Sequence, residues 1–524
     1  MKFSYKSQLN THSLGFLVYT FIFYLIFFTG YFSDDFSEIN RINENNNQVS
    51  AIPTFNYLNI PVLYYTHYLF YYFVDYDNIF FISTIKFLYT AICCYMVSKF
   101  FSLFVDSRNA LIISFLFIFW PTHDSTVYWL LGQYLMITMS FYLYSYYLIE
   151  KEFIFTGILM AFLASFISYG SSPVAISLAI LFIFNKKIKK SFFLIFPNII
   201  YIVYYILVSK VFAISSVSRI PDSIQFISLI KNLIFQIISS LDSNFGIGFI
   251  LKLYYSIGEL KITSVLMGLF ILLIYFVIEN NKNVKKTYKE IFDFKLIFAL
   301  TLIILSSMLM FAVSGGYFQT PFNLGNRVLI YSSLLLSYII ILFYKNYPSI
   351  YIKIFLVIIF FSIIGVSSHW KSQTQNQLDV INNIERNNVF SRISHEQILF
   401  VTGNQYSQFG KISHIEFFSE SHVAEASVGI AGQRLLKVKT LNNAWDFDGL
   451  ILQDRKYKHR NYEVEDSIHI YDSEKNIFTV IPTNQISFFI ETLPKNKRHW
   501  IQLIQIRQLQ NLINNNFPRL KYLF

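Results

Sequence analysis

The chain has 524 residues, 54% of them hydrophobic and only 14% charged, with a mean hydropathy of +0.45. This excludes an ordinary soluble domain and places the chain among polytopic membrane proteins. The net charge of +11 would suit a nucleic-acid binder, but the basic residues sit in short loops between apolar runs, as in Lys186 to Lys190 and Lys282 to Lys286, which is a pattern of membrane orientation.

The first apolar segment, 14–30, follows Lys2 and Lys6 and precedes Asp34, Asp35, Glu38 and Glu44, with only Arg41 against them. The start of the chain is therefore expected in the cytoplasm and the acidic cluster on the outer side. No small-residue cleavage site follows Leu14 to Gly30, so it reads as a retained transmembrane helix, not a secretory signal. From Phe55 to Phe73 the chain is apolar, but Pro53, Pro61, His67 and a dense run of tyrosines predict helices lying in the interface. A span there would invert every later loop.

Further spans are predicted at 79–104, 110–122, 127–149, 153–168, 173–185 and 191–213, each measured against about 20 apolar residues per crossing. Lys86 lies about two turns into the second span, where a cation is either functional or snorkels to the boundary. Cys93 and Cys94, adjacent in the same run, can build neither a disulfide framework nor a four-ligand zinc site. Ile224 to Leu260 mixes apolar runs with Asp242, Asn244, Gly246 and Lys252 and is expected to be an interfacial or re-entrant outer segment. Spans at 262–278, 296–313, 328–344 and 350–368 complete a count of about eleven. This topology puts Asp106 to Asn109, Glu150 to Glu152, Asn185 to Lys190, Glu279 to Lys295 and Lys345 to Lys353 in the cytoplasm, where nearly all the lysine clusters fall.

The transmembrane domain is thus 1–371, all-α, with interfacial helices at about 36–75. Residues 372–524 are expected to form a small extracytoplasmic α/β domain. Strands are predicted at Ile398 to Val401, His414 to Phe418, Leu435 to Val438, Ser467 to Tyr471 and Ile486 to Ile490, with a hairpin turn at Asp472 to Asn476. Helices are predicted at Gln377 to Arg386 and Trp500 to Ile513.

Several outer loops then carry polar and aromatic residues to one side: Trp120, His123 and Asp124; Trp129 and Gln133; Tyr169; Arg219; Gln319, Asn326 and Arg327; His369, Trp370 and Lys371. Singly, each has a structural reading: the tryptophans as interface belt, Arg327 and Lys371 as snorkelling ends, His123 as a satisfied loop histidine. Together they predict a shared cavity.

The plan of about eleven spans, the pair Asp34-Asp35 just after the first span, interfacial helices in that loop and an outer C-terminal domain resembles the GT-C superfamily of membrane glycosyltransferases. That superfamily includes protein O-mannosyltransferases, aminoarabinose transferases and bacterial relatives. Tyr128-Trp129-x-x-Gly132-Gln133, Gly325-Asn326-Arg327 and Trp370-Lys371-x-Gln373 look like local features of the bacterial relatives, and the resemblance covers residues 10–375. It implies a helical fold in a bacterial inner membrane, an acidic catalytic base in the first outer loop, a sugar on a polyprenyl phosphate as donor, and a glycan, lipid or protein acceptor. Metal-dependent members carry acidic ligands in later outer loops. Here Asp124, Asp222 and Asp242 are the available substitutes, nothing in their spacing motivates a metal, and none is assigned.

Transfer from a lipid-phosphate sugar needs a base for the acceptor hydroxyl and positive charge for the departing phosphate. Asp35, slightly ahead of Asp34, is expected to be the base, with the other acid orienting it. Arg327, Lys371, Arg219 and His369 form the cationic pool, and Glu38, His123, Trp129, Gln133, Tyr169 and Gln319 complete the expected substrate-binding set. Two other readings remain open. A transporter or flippase of a lipid-linked saccharide would distribute polar residues through the spans and break helices in paired positions. A glycan polymerase or ligase would place its cations in large outer loops and lack the acidic pair.

Overall fold

A computed structural model of the protein describes residues 5–44, 60–208, 225–280 and 292–503, apart from residues 316, 391–392, 394–396, 433–436 and 456–460, together with three isolated residues beyond 503. The chain is mostly helical. Helices α1 (Tyr5–Ile26), α2 (Asp34–Glu44) and α3 (Pro61–Phe73) lead to α4 (Ile79–Phe101), α5 (Ser107–Ile118), the single turn α6 (Ser125–Tyr128), α7 (Tyr134–Glu150), α8 (Ile154–Ile167), α9 (Ser172–Phe184) and α10 (Ile188–Ile206). Helices α11 (Phe226–Phe245), α12 (Ile247–Gly258), α13 (Ile262–Asn280), α14 (Phe294–Ser314) and α15 (Ile330–Asn346) follow, then the long α16 (Ile350–Arg386). Side-chain caps set several starts: the carboxylates of Asp106 and Asp293 and the Asn78 amide oxygen accept first-turn N–H groups of α5, α14 and α4.

Each predicted span overlaps a helix, with residues 209–213 of the span 191–213 outside the described residues, yet among the described residues only five segments are long and apolar enough to cross a membrane: Ile79–Phe101, Phe226–Gly258, Phe294–Ser314, Leu324–Asn346 and Ile350–Arg386. Others are short, such as Ser107–Ile118 and Ile154–Ile167. The expected span 127–149 is interrupted: α6, a 3₁₀ turn at Leu131–Gln133 and α7 share it. Ile224 to Leu260, expected to be an interfacial or re-entrant outer segment, contains one of the five, Phe226–Gly258, as α11 and α12 with a break at Gly246. Its polar residues misled because they face inward: Gln236, Ser240, Asn244 and Lys252 are buried, while Ile234, Ile238, Leu241 and Ile250 are exposed.

Small residues bring α12 and α16 together. A Cβ on Gly365 would stand 1.7 Å from the backbone oxygen of Ser256, and Ser362 Oγ donates to Leu253 O at 3.4 Å. Gly365→Ala is therefore expected to force the helices apart and cost about 1–3 kcal/mol of stability, read as a lower unfolding midpoint of the purified protein in detergent.

Past the membrane-facing part, α16 runs on to Arg386, as predicted for Gln377 to Arg386, and delivers the chain to β1 (Ile398–Thr402), β2 (Tyr406–Phe409), β3 (Ile412–Glu416), α17 (Ser421–Ile430), β4 (Lys437–Thr440), β5 (Trp445–Phe447), β6 (Ile451–Asp454), β7 (Asn461–Glu463), β8 (Ser467–Asp472), β9 (Ile477–Pro482) and α18 (Ile486–Thr492). The main sheet has order β4-β1-β8-β9, parallel except for the β8–β9 hairpin, which turns where predicted. Ile486 to Ile490 is a helix, not a strand: Ile486 and Ile490, four residues apart, face the core while Phe488 is exposed. Trp500 begins a 3₁₀ turn, Trp500–Leu503, and most of the helix predicted beyond it lies outside the described residues.

The two parts meet through α2 and α17. Phe36, Ile39 and Ile42 pack with Phe417, Val423, Ala424 and Val428, and a Cβ on Gly429 would stand 2.3 Å from Asn40 Oδ1, so the two helices are in close contact.

Candidate functional site

The acidic pair is split by the geometry at the start of α2. Ser33 adopts a left-handed backbone (φ 51°), and the helix begins at the next residue. Asp35 turns back into the protein: its Oδ2 accepts from Phe32 N–H at 2.9 Å, and its Oδ1 accepts from Tyr71 O–H at 2.6 Å and from Leu131 N–H at 3.4 Å. It is 0% exposed. Burial pushes its carboxyl well above the ordinary carboxylate range, against the opposing pull of the Tyr71 hydrogen bond, the Phe32 N–H and the charge of Lys86. Lys86 does not snorkel: it is fully buried, its ammonium donates to Gly30 O and, at 2.6 Å, to Tyr128 O, and it lies 4.9 Å from the Phe32 ring centre.

Asp34 faces the other way. Its side chain is 47% exposed, and its Oδ1 stands 3.0 Å from His422 Nε2, on the first turn of α17. Of the two acids, the accessible carboxylate belongs to Asp34, while Asp35 is buried and bonded to Phe32, Tyr71 and Leu131.

Arg327 lies in the 3₁₀ turn Leu324–Leu329 before α15. Its guanidinium carbon sits 4.9 Å from the Trp129 ring and 5.1 Å from the Tyr317 ring. The hydroxyls of Tyr134, Tyr317 and Tyr169 and the carboxylate of Asp34 are all within its electrostatic reach. Among the described residues it forms no ion pair. The Trp129 wall is fixed by the turn between α6 and α7: Gly132 passes so close to Ser125 O that a Cβ would fall 2.5 Å away, and Gln133 Nε2 donates to Val127 O at 2.7 Å. Trp129 Nε1 and Gln133 Oε1 are buried and have no hydrogen-bond partner among the described residues.

No family model, curated protein or solved structure matches this chain. What the site can do rests on its own geometry.

A second polar cluster centres on Asp124, 3% exposed. Its Oδ2 accepts from Lys252 Nζ at 3.1 Å, His414 Nε2 at 2.8 Å and Trp370 Nε1 at 2.8 Å, and its Oδ1 from Asn326 Nδ2. The cluster joins the α5–α6 loop, α12, α16, the turn before α15 and β3. His414 Nδ1 accepts from Asn323 N–H at 3.0 Å, which fixes the neutral tautomer with its proton on Nε2. Burial and the Lys252 charge hold this imidazole down to about 4. Asp124 stays well below the usual carboxylate range, because Lys252, His414 and the Trp370 N–H outweigh the opposing effect of burial.

The remaining expected site residues are engaged elsewhere. His123 is bonded at both ring nitrogens, to Thr126 Oγ1 and Phe117 O, each at 2.8 Å. Lys371 donates to Tyr24 O at 2.6 Å and lies over the Tyr24 ring, tying α16 to α1. His369 Nε2 bonds Ser407 Oγ at 2.8 Å, and its Nδ1 stands 3.4 Å from Glu259. Gln319 bonds Gln236 at 3.3 Å, and Glu38 pairs with Arg41 along α2. Arg219 and Asp222 lie outside the described residues. Asp242 accepts from Trp500 Nε1 at 2.9 Å and Gly248 N–H at 3.1 Å, so both described acids considered as metal ligands are held by protein donors. Among the described residues no group of three or more His, Cys, Asp or Glu is placed to hold a metal ion.

The site thus gathers Asp34, Arg327, Trp129, Gln133 and Tyr169 from the expected set and adds His422, Tyr134 and Tyr317. His422 gave no local signal, being 388 residues from its partner. Lys252 and His414 had one: an isolated cation in an apolar run and an imidazole in a strand.

Proposed function

We propose that the protein is a membrane glycosyltransferase that moves a sugar from a polyprenyl-phosphate donor to an acceptor hydroxyl on the non-cytoplasmic face. One observation carries the reading: a water-accessible carboxylate, Asp34, lies within electrostatic reach of a guanidinium, Arg327, that is walled by aromatic rings and forms no ion pair among the described residues. Asp34 takes the proton of the acceptor hydroxyl as its oxygen attacks the anomeric carbon. The bond from that carbon to the phosphate oxygen breaks, and Arg327 receives the charge left on the phosphate. Trp129, Tyr317 and Tyr134 supply faces on which a sugar ring stacks, while Trp129 N–H and Gln133 Oε1 are available to its hydroxyls. His422 brings the C-terminal domain to the carboxylate, orienting Asp34 through its Oδ1.

The test is transfer of radiolabelled sugar in membranes supplied with polyprenyl-phosphate donors. Arg327→Ala is expected to raise the donor concentration for half-maximal transfer by roughly ten- to a hundredfold, the equivalent of one charge-assisted hydrogen bond of about 1.5–3 kcal/mol. Arg327→Lys recovers only part, because the planar fork is lost. Equal donor dependence in wild type and Arg327→Ala would remove the phosphate role, and no transfer from any lipid-phosphate sugar by the intact protein would remove the function.

A further inference from the structure

The bundle also carries a cleft away from the site at Asp34. Helices α1, α5, α13, α15 and α16 leave a cleft of about 280 Å³, lined in its depth by Leu14, Phe21, Phe115, Ile271 and Phe360 and reached by Lys345 and Lys353. Lys345 is in the last turn of α15 and Lys353 in the first turn of α16, so both flank the short connection between those helices. Arg327 immediately precedes α15, whose 17 residues put about 25 Å of helix between it and Lys345. The cleft is therefore separate from the site at Asp34.

The cleft is divided by polarity. Its polar lining groups, Asn109, Tyr275, Tyr344 and the two lysines, lie toward one end: Asn109 starts α5, Tyr344 ends α15, and Tyr275 is far along α13 from Ser264, which bonds Ser368 near the opposite end. Its volume would hold roughly nine waters, yet a buried water needs two to four polar partners and the deep part supplies none. Neither lysine has a carboxylate partner among the described residues, and Lys353 is exposed. An apolar slot that ends in two ammonium groups with no carboxylate partner among the described residues is complementary to a hydrocarbon chain attached to a phosphate.

We propose that this cleft binds an anionic glycerophospholipid, with one acyl chain between α1, α13 and α16 and its phosphate at Lys345 and Lys353. The site is independent of the glycosyltransferase reading. The experiment uses the full chain in mild detergent, mixed with equal amounts of phosphatidylglycerol and phosphatidylcholine of identical chains, and reads retained lipid by native mass spectrometry. Phosphatidylglycerol is expected to be retained roughly tenfold over phosphatidylcholine, the preference to vanish in Lys345→Gln/Lys353→Gln, and total retention to fall in Leu272→Trp, which fills the slot and leaves both lysines in place. Equal retention of the two lipids by the unaltered protein overturns the proposal without recourse to any variant. A preference that survives the double lysine change, or full retention by Leu272→Trp, overturns it as well.

Discussion

Asp124→Ala is expected to lower the stability of the protein by about 3–5 kcal/mol, the cost of leaving a buried charge without its partner. Lys252 is 0% exposed and has Asp124 as its one carboxylate within ion-pair distance among the described residues. The same change strips an acceptor from Trp370 Nε1, His414 Nε2 and Asn326 Nδ2, so the C-terminal domain loses a buried polar anchor on the bundle. Asp124→Asn combined with Lys252→Met should recover much of the loss, because a missing pair costs far less than half of one. Unfolding midpoints in detergent measure all three proteins, and a single Asp124→Ala that unfolds like wild type would mean the cluster holds nothing.

The cluster also sets a pH dependence with a definite sign. His414 is held at about 4, below the 6.5 of an unfolded histidine, so between those values the unfolded chain binds a proton that the folded one refuses. Stability contributed by His414 is therefore present above about 6.5 and is lost as the pH falls toward 4. Asp124, also depressed, acts in the same direction in the carboxylate range below that. His414→Gln removes the first part of this loss while keeping a side-chain acceptor for Asn323 N–H.

The helices were legible because composition and periodicity are local properties, and so were the sheet strands with strong β-rich runs. The failures have particular causes. Ile486 to Ile490 is a run in which only burial distinguishes an i, i+4 face from an alternating one. Phe226–Gly258 hid its character because the apolar side of each helix faces outward, so inward polar residues looked like signs of a loop. At the site, adjacency placed Asp34 and Asp35 correctly as a pair but could not say which faced water. That choice depends on the left-handed Ser33, on Tyr71 from a separate helix and on His422 from a separate domain. Lys371 and His369 carried the right chemistry at the right end of a helix, yet Tyr24 O and Ser407 occupy them.

The two acids should therefore part company when each is changed to asparagine. Asp34→Asn keeps size and a hydrogen bond to His422 but cannot accept the acceptor's proton, and sugar transfer is expected to fall about 10²–10⁴-fold. Its unfolding midpoint should not move, since the side chain is half in water and buries no charge. Asp35→Asn should show itself in stability. Burial lifts the Asp35 carboxyl well above its ordinary range, so its contribution is fully present at low pH and is lost as the pH rises above that range. The asparagine variant, having nothing to titrate, should flatten that part of the pH–stability curve. Glu38→Gln, from the same helix and paired with Arg41, serves as an acidic control with near-normal transfer. If Asp34→Asn transfers sugar at the wild-type rate while Asp35→Asn abolishes transfer without altering stability, the buried acid is the base after all, and water or substrate must reach it by an opening at Tyr71 that the packing of α2 against α3 closes here.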